Sequence, residues 1–415
     1  MTNEILVLGT GMYGCLTAYK ISKKFPKYKI TIIDKSNKIL KSFEPIKIAG
    51  LKMNNGHHLI ENERNKNLNR FISSLKLKKK KIINNRGVLI ENFLLQENSK
   101  ISDYPNKIFS KKKFKIVNSN NIKKIYENLP YNFRSIINKV SSRYSTNKQE
   151  TLSSFIPWFL PFEYNLYSSD EGDIYRNDLK YNSKISSGTI PDNGLIDSLR
   201  DPILKILKSR KNIEILLNTE VKIIKNNLFL KKSKTLVKKK FDHIFICSAP
   251  VSFLKEMKFK DFKKIFSNMR NFAITSVILK KNTKVTHNEI LVMNTKIKEL
   301  TRISKIYSDK LNKKFLLEFS FKNNDFKKFD VIKIKNNLET VFGKYNIKKI
   351  NKLKFTRKTF KPNNLIIENA INFIKFNLKK KKISLLGKLV FFPINTCKAW
   401  DYSEINVKKL NEFSR

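Results

Sequence analysis

The chain has 415 residues, more than one compact core holds and enough for two or three domains. Its 40% hydrophobic content, with 31 Phe and 14 Tyr, excludes wholesale disorder in spite of 29% charged residues. A formal net charge of +52 invites a nucleic-acid reading. Against it, lysine outnumbers arginine about six to one, whereas specific base and phosphate readout favours the guanidinium fork.

The lysines are spread along the whole chain beside abundant Asn and Ile, the trio that drift toward AT-rich codons produces, with Lys enriched on every solvated face. Whatever its origin, such a field attracts anionic small molecules, acidic lipid and RNA without selectivity, and salt weakens it. No apolar stretch reaches about 18 residues, so no transmembrane helix is expected. The amino terminus lacks a secretory layout, because Ile5–Leu8 runs straight into glycines. Cys15, Cys247 and Cys397 stand far apart. That spacing speaks against a disulfide scaffold and a structural zinc site, and makes a reducing cytoplasm the expected location.

In chain order, Glu4-Ile5-Leu6-Val7-Leu8 has the near-continuous apolar run of a buried parallel strand. Met12–Ser22 follows with apolar residues at helical spacing, and Pro26 ends that region. Lys29-Ile30-Thr31-Ile32-Ile33-Asp34 is a second β-branched run closing on an acid. Residues 57–77 are expected to be partly helical, and Lys78–Ile83 reads as a lysine run in a polar connection. After Pro191-Asp192-Asn193-Gly194, the segment Leu195–Lys208 has helical periodicity. Ile213–Leu217, Val221–Ile224, Leu228–Leu230 and Asp242–Cys247 read as strands. Alternation in Phe315–Phe321 suggests further sheet, Ile383–Gly387 a late strand and Asn406–Phe413 a closing helix. Lysine clusters at 111–113, 238–240 and 379–382 are expected between elements.

Gly9-Thr10-Gly11-Met12-Tyr13-Gly14 fits GxGxxG between a buried-type strand and a helix, the setting that gives this pattern meaning. The chain has only 11 glycines, where average usage would give about 29, yet three fall in these six residues. Gly9 allows a tight turn, Gly11 lets the backbone approach a pyrophosphate, and Gly14 lets helix and strand pack closely. The helix N-terminus, from Met12 and Tyr13, offers N–H groups and partial positive charge to phosphate. Asp34, at the end of the second strand and followed by Lys35, is placed to accept ribose hydroxyls. A dinucleotide is the expected ligand.

The chain as a whole resembles the flavoprotein group that includes protoporphyrinogen oxidase, flavin amine oxidases and UDP-galactopyranose mutase. Gly50-Leu51-Lys52-Met53-Asn54-Asn55-Gly56-His57-His58 is similar to that group's "G…fDxGxH", with Asn54 in place of Asp. Ile190-Pro191-Asp192-Asn193-Gly194-Leu195 resembles its Pro-x-Gly-Gly stretch, and Leu217-Asn218-Thr219-Glu220-Val221 its "lnt-x-V" strand. Phe241–Pro250 resembles "aDxvIxaxP", and Ser384-Leu385-Leu386-Gly387-Lys388 the "flGR" stretch. The resemblance implies FAD as cofactor, the Val221 main chain against adenine, Gly387 and Lys388 at the diphosphate, and His58 beside the isoalloxazine as a polariser. His57 is the alternative register, and an ordinary turn histidine the bland reading. The group's Gly-Gly after the ribose acid is absent, Leu40-Lys41-Ser42 standing there. Neither the mutase's tyrosine-rich Asp-Met ending nor the amine-oxidase "GD" ending is present.

No HxxxH, HExxH or acidic cluster suggests a metal, and no GxSxG marks a nucleophilic serine. Cys15 and Cys247 read as core, and His243 and His287 as structural or exposed. Trp158, Tyr175 and Arg176, in an aromatic-rich stretch, suit an anionic or ring-bearing substrate, with the Phe residues around them read as core. Asn395 and Thr396 are placed to start a last helix whose N–H groups face the flavin.

The expected fold is α/β: a Rossmann-like FAD domain from residues 1–70, 190–250 and 380–415, with a substrate domain of antiparallel sheet and helices from 71–189 and 251–379. The leading function is a FAD-dependent oxidoreductase acting on a small molecule. The alternatives are a mutase-like isomerase acting on a nucleotide sugar through reduced flavin, and a basic non-catalytic nucleic-acid or membrane-surface binder. No specific nucleic-acid partner is expected; the charge alone allows weak attraction to acidic membranes.

Overall fold

A computed structural model describes residues 3–55, 60, 66–96, 99–109, 126–144, 186–224, 227–247, 269–321, 324–360, 383–385, 400, 403–404, 407–408 and 410. The chain opens with β1 (Glu4–Leu8), α1 (Met12–Lys24) and β2 (Lys29–Ile33), the βαβ unit that the sequence predicts. A hairpin of β3 (Ile46–Ile48) and β4 (Leu51–Met53) follows, then α2 (Lys66–Ser74), β5 (Lys79–Asn84), β6 (Arg86–Ile90), β7 (Phe93–Gln96) and α3 (Tyr131–Tyr144). β8 (Ser186–Pro191), a 3-10 turn and α4 (Arg200–Lys208) lead to β9 (Ile213–Leu216). The meander β10 (Thr219–Ile224), β11 (Asn227–Lys232) and β12 (Thr235–Lys238) precedes β13 (His243–Ile246). β14 (Met269–Leu279), β15 (Glu289–Met293), β16 (Leu300–Lys305) and β17 (Lys314–Phe321) come next. α5 (Lys335–Phe342), β18 (Ile347–Ile350), β19 (Lys354–Phe360) and β20 (Ile383–Leu385) complete the series.

Five strands form a parallel sheet in the order β20-β13-β1-β2-β9. Its strands are apolar on both faces because both are covered. Ile5, Val7, Ile30, Ile32 and Phe245 enter a core with α1, α2 and α4. Leu6, Leu8, Ile33, Ile244 and Ile246 enter a second core roofed by the β10–β12 meander through Leu230. The carboxy-terminal residues return to the first core. Trp400, Val407 and Leu410 pack there, and Lys20 Nζ lies 3.8 Å from the Trp400 ring centroid. All described residues from 400 to 410 are helical.

The second sheet has eight strands, in the order β18-β14-β17-β16-β15-β6-β7 with β19 also on β14. Its pairings are antiparallel except β6 with β15, which run parallel. The expectation of an antiparallel sheet therefore needs that one correction: β6 and β15 lie about 200 residues apart, and no local turn constrains their direction. One face packs on Leu338 and Phe342 of α5. The other carries Phe133, Ile137 and Val140 of α3 at one end. At its other end the β3–β4 hairpin lies on Ile274 and Leu316 through Ile48 and Met53.

The lysine run at 78–83 is a second correction. Residues 79–84 form β5, antiparallel to β8 with Lys79 opposite Pro191. A lysine can line a strand because its aliphatic stem packs while the ammonium stays in water. Of the cluster at 238–240, Lys238 is the last residue of β12 and not part of a connection; the clusters at 111–113 and 379–382 lie outside the described residues. Among the described residues no helix is long and apolar enough to cross a membrane.

Candidate functional site

The glycine turn between β1 and α1 is built by three different constraints. Gly9 has φ +103°, a conformation that side chains resist, and its N–H donates to the Ile33 carbonyl at 2.7 Å. At Gly14 a Cβ would lie 1.8 Å from the Gly9 carbonyl oxygen, so helix and strand meet at a distance only glycine allows. At Gly11 a Cβ would meet no atom of the described residues beyond its chain neighbours within 4 Å, so among these residues the position is open at the head of α1. Gly11 is the N-cap residue, no side chain caps the helix, and no acid stands in its first turn. The N–H groups of this end are thus presented to an anion, as the dinucleotide reading requires.

Asp34 lies beside this turn and is more heavily engaged than the sequence suggests. One carboxylate oxygen accepts from the Thr10 N–H at 2.7 Å and the Thr10 hydroxyl at 2.8 Å. The other accepts from the Ser36 N–H at 2.8 Å and the Ser36 hydroxyl at 2.7 Å. Burial alone would raise this carboxyl; the bonds from the Thr10 and Ser36 N–H groups and hydroxyls outweigh it and hold the group below its ordinary value. Thr10, 1% exposed, also accepts at its carbonyl from the Leu40 N–H at 2.9 Å. Where the resembling group has glycines, the buried Leu40 itself takes a left-handed conformation, φ +50°. Lys35 is exposed. Thr219, at the head of β10, donates its N–H to the Asp34 carbonyl at 2.9 Å, and Val221, two residues on, packs against the parallel sheet.

Two stretches singled out by resemblance meet. The Asn54 amide donates to the Gly194 carbonyl at 3.0 Å, and its oxygen accepts from the Ile196 N–H at 2.9 Å. An amide serves both partners; the aspartate it replaces could serve only the second. Gly194 has φ +75°, and a Cβ there would strike the Tyr307 backbone at 2.3 Å. Tyr307 leads to a group that sequence reading missed. Glu289, 1% exposed, accepts from Arg86 Nε at 2.8 Å and forms an ion pair with Arg302, whose Nε lies 3.2 Å away. Burial raises the Tyr307 hydroxyl well above its ordinary value, Glu289 adds to this and Arg86 opposes it. The only hint in the sequence is a charge at the head of two apolar runs, Arg86–Ile90 and Glu289–Met293.

Cys15 and Cys247 are buried free thiols, as expected of core residues. Burial pushes Cys247 up to about 12 and raises Cys15 further, with contributions from Cys247 and Asp34. His243 is buried, with Nε2 2.9 Å from the Ser384 hydroxyl, and so ties β13 to β20. His287 is half-buried beside Thr286 and Gln96, and burial lowers its pKa. No cluster of His, Cys, Asp or Glu suited to a metal occurs among the described residues. His57, His58, Trp158, Tyr175, Arg176, Gly387, Lys388, Asn395, Thr396 and Cys397 lie outside the described residues.

The family model of the NAD(P)-binding Rossmann-like domain matches residues 7–75. A comparison with curated protein sequences finds no match. Among solved structures, the chain is similar to a protein assigned as protoporphyrinogen oxidase from Exiguobacterium sp. 255-15, with TM-score 0.64, 11% identity and 99% of each chain covered. It is similar to reduced UDP-galactopyranose mutase, with TM-score 0.60, 10% identity, and 92% of this chain and 88% of the other covered. Putrescine oxidase bound to putrescine gives TM-score 0.55 at 9% identity, with both chains covered in full, 100%. The chain therefore carries an NAD(P)-binding Rossmann-like domain at its amino-terminal end and has the overall fold of these three enzymes.

Proposed function

We propose that the chain is a FAD-dependent flavoenzyme, an oxidoreductase passing hydride or electrons between a small-molecule substrate and an acceptor through the flavin. The observation that carries this reading is the turn from Gly9 to Gly14. Its tight strand-to-helix approach leaves Gly11 open among the described residues and the head of α1 without a side-chain cap, with Asp34 anchored alongside. The overall likeness to two enzymes named as oxidases supports the redox side of the proposal.

On this reading the backbone of Gly11, Met12 and Tyr13 holds the pyrophosphate, Asp34 the adenosine ribose, and the Val221 main chain the adenine edge. The acceptor positions of Asp34 are filled by Thr10 and Ser36, so ribose hydroxyls enter by turning aside one or both side-chain hydroxyls, which rotate freely. Bound FAD supplies two-electron or one-electron redox chemistry, and the chain supplies orientation and electrostatics. Gly387, Lys388, Asn395 and Thr396 remain proposed cofactor contacts, His58 the proposed group beside the flavin, and Trp158, Tyr175 and Arg176 the proposed substrate contacts. The proposed division sets residues 1–70, 190–250 and 380–415 on the cofactor and 71–189 and 251–379 on the substrate.

A second reading, a mutase-like rearrangement of a nucleotide sugar without net oxidation, is favoured by the likeness to UDP-galactopyranose mutase. The test is the visible spectrum of the purified protein. A flavin band retained through gel filtration, or taken up from added FAD, is expected. Oxidised protein with amines and other hydride donors, against reduced protein with nucleotide sugars, then separates the two readings. A protein that neither carries nor takes up FAD overturns both.

A further inference from the structure

The β10–β12 meander turns one face to the parallel sheet, where Val221, Leu228 and Leu230 pack. Alternation along the strands sends the intervening residues outward. Register then sets Phe229 between Lys222 and Lys238, and Lys231 between Glu220 and Leu236. Among the described residues β12 is an edge strand, and all four of its residues are exposed. Three of the eight large apolar side chains that stand 40–75% exposed among the described residues fall in this small sheet: Ile224 at 43%, Leu236 at 43% and Val237 at 45%. From Val221 to Phe241 the chain has eight lysines and no acidic residue.

We infer that the outer face of this meander forms a docking surface for an anionic lipid bilayer, with lysine ammoniums at the phosphates and Ile224 and Leu236 in the acyl boundary; Val237, opposite Leu230 in the register, lies on the other face of the strand. The chemistry favours this occupant over two others. Single-stranded RNA is held by stacking on exposed aromatic rings and by arginine, and this face offers one half-buried ring, Phe229, beside exposed aliphatic groups and lysine, with no arginine from residue 219 to 241. A second copy of the chain pairing along β12 would set one lysine-rich edge against another, the arrangement by which edge strands avoid each other. A bilayer gains from both features at once, because buried apolar area and attraction to anionic headgroups add.

The test is co-sedimentation of the full chain with phosphatidylcholine vesicles, with and without phosphatidylglycerol. Binding that requires phosphatidylglycerol is expected. Lys231→Gln with Lys238→Gln should weaken it about 25-fold, or about fivefold per lysine. Ile224→Ser with Leu236→Ser should weaken it severalfold, while Lys327→Gln with Lys328→Gln, on a distant exposed turn, should change it little. Far-UV circular dichroism confirms that each variant is folded. The inference is overturned if the protein ignores phosphatidylglycerol, if the distant lysine pair matters as much as the meander pair, or if the serine variant binds unchanged. It is equally overturned if RNA binds more tightly and displaces the vesicles.

Discussion

Gly14→Ala and Gly11→Val, three residues apart in one turn, are expected to fail in different ways. The new Cβ of Gly14→Ala falls 1.8 Å from the Gly9 carbonyl oxygen and 3.0 Å from its carbon, so strand and helix must part by more than about 1 Å. Neither side yields easily. Gly9 is held by its 2.7 Å bond to Ile33 and a backbone conformation closed to other residues. The helix is packed through Tyr13, Cys15, Leu16 and Ala18. We expect a loss of about 3 kcal/mol, the upper range for overpacking, out of a domain stability of about 5–15 kcal/mol. Gly11→Val, by contrast, places its Cβ with no atom of the other described residues within 4 Å, at φ −67° and ψ 178°, which any residue adopts. Its stability cost is about 1 kcal/mol or less, the N-cap preference of glycine. Its methyl groups stand where the pyrophosphate must approach, and a loss of about 100-fold in FAD affinity corresponds to roughly 3 kcal/mol. Urea unfolding of the cofactor-free protein, followed by circular dichroism, reads the first effect; quenching of FAD fluorescence reads the second. A Gly14→Ala protein unfolding at the parent's urea concentration would refute the close approach. A Gly11→Val protein binding FAD like the parent would refute the phosphate loop.

Asn54→Asp should cost about 1–3 kcal/mol in urea unfolding at neutral pH, because the Gly194 carbonyl loses its donor and faces a carboxylate; unchanged stability would show that the bridge contributes nothing. The lowered pKa of Asp34 means that its stabilisation is full above the ordinary carboxylate value and fades as pH falls through the lower folded value. Thr10→Val with Ser36→Ala should therefore flatten the acid side of the stability–pH profile, and a profile parallel to the parent's would refute this. Ala49 and Gly50 turn the β3–β4 hairpin with φ +47° and +80°, so Ala49→Gly should raise stability by about 0.5–1 kcal/mol; a fall would count against the turn. Iodoacetamide should leave Cys15 and Cys247 unmodified in the folded protein and alkylate both in urea, since burial suppresses their thiolates.

How far the site could be read from the sequence depended on how far apart its parts lie in the chain. The Gly9–Gly14 turn, α1 and Asp34 sit within one short βαβ unit, and their signals are local: an apolar run, three glycines, helical spacing, a terminal acid. Thr10 was expected to bind the cofactor as part of the glycine motif, and nothing in the sequence marked its hydroxyl as a partner of Asp34. Asn54 was noticed as a departure from a motif, but its two partners, Gly194 and Ile196, lie about 140 residues away. Arg86 and Glu289 gave no signal beyond a charge before an apolar run, since the parallel pairing of β6 and β15 alone brings them together. The lysine run of β5 was misread for the same reason: composition argued for a solvated connection, while β8 supplies the hydrogen bonds that make it a strand.

The sequence by itself determined the local geometry of the Gly9–Gly14 turn and the buried character of β1, β2 and β13. Glycine's access to positive φ and the alternation of apolar side chains are properties of neighbouring residues, effective before any distant contact forms. Tertiary structure alone decided that the meander roofs one face of the parallel sheet, that Asn54 joins the hairpin strand to the turn at 194, and that Glu289 is buried between two arginines. Each of these is a pairing between remote segments, whose energy exists only once the chain has brought them within hydrogen-bonding distance.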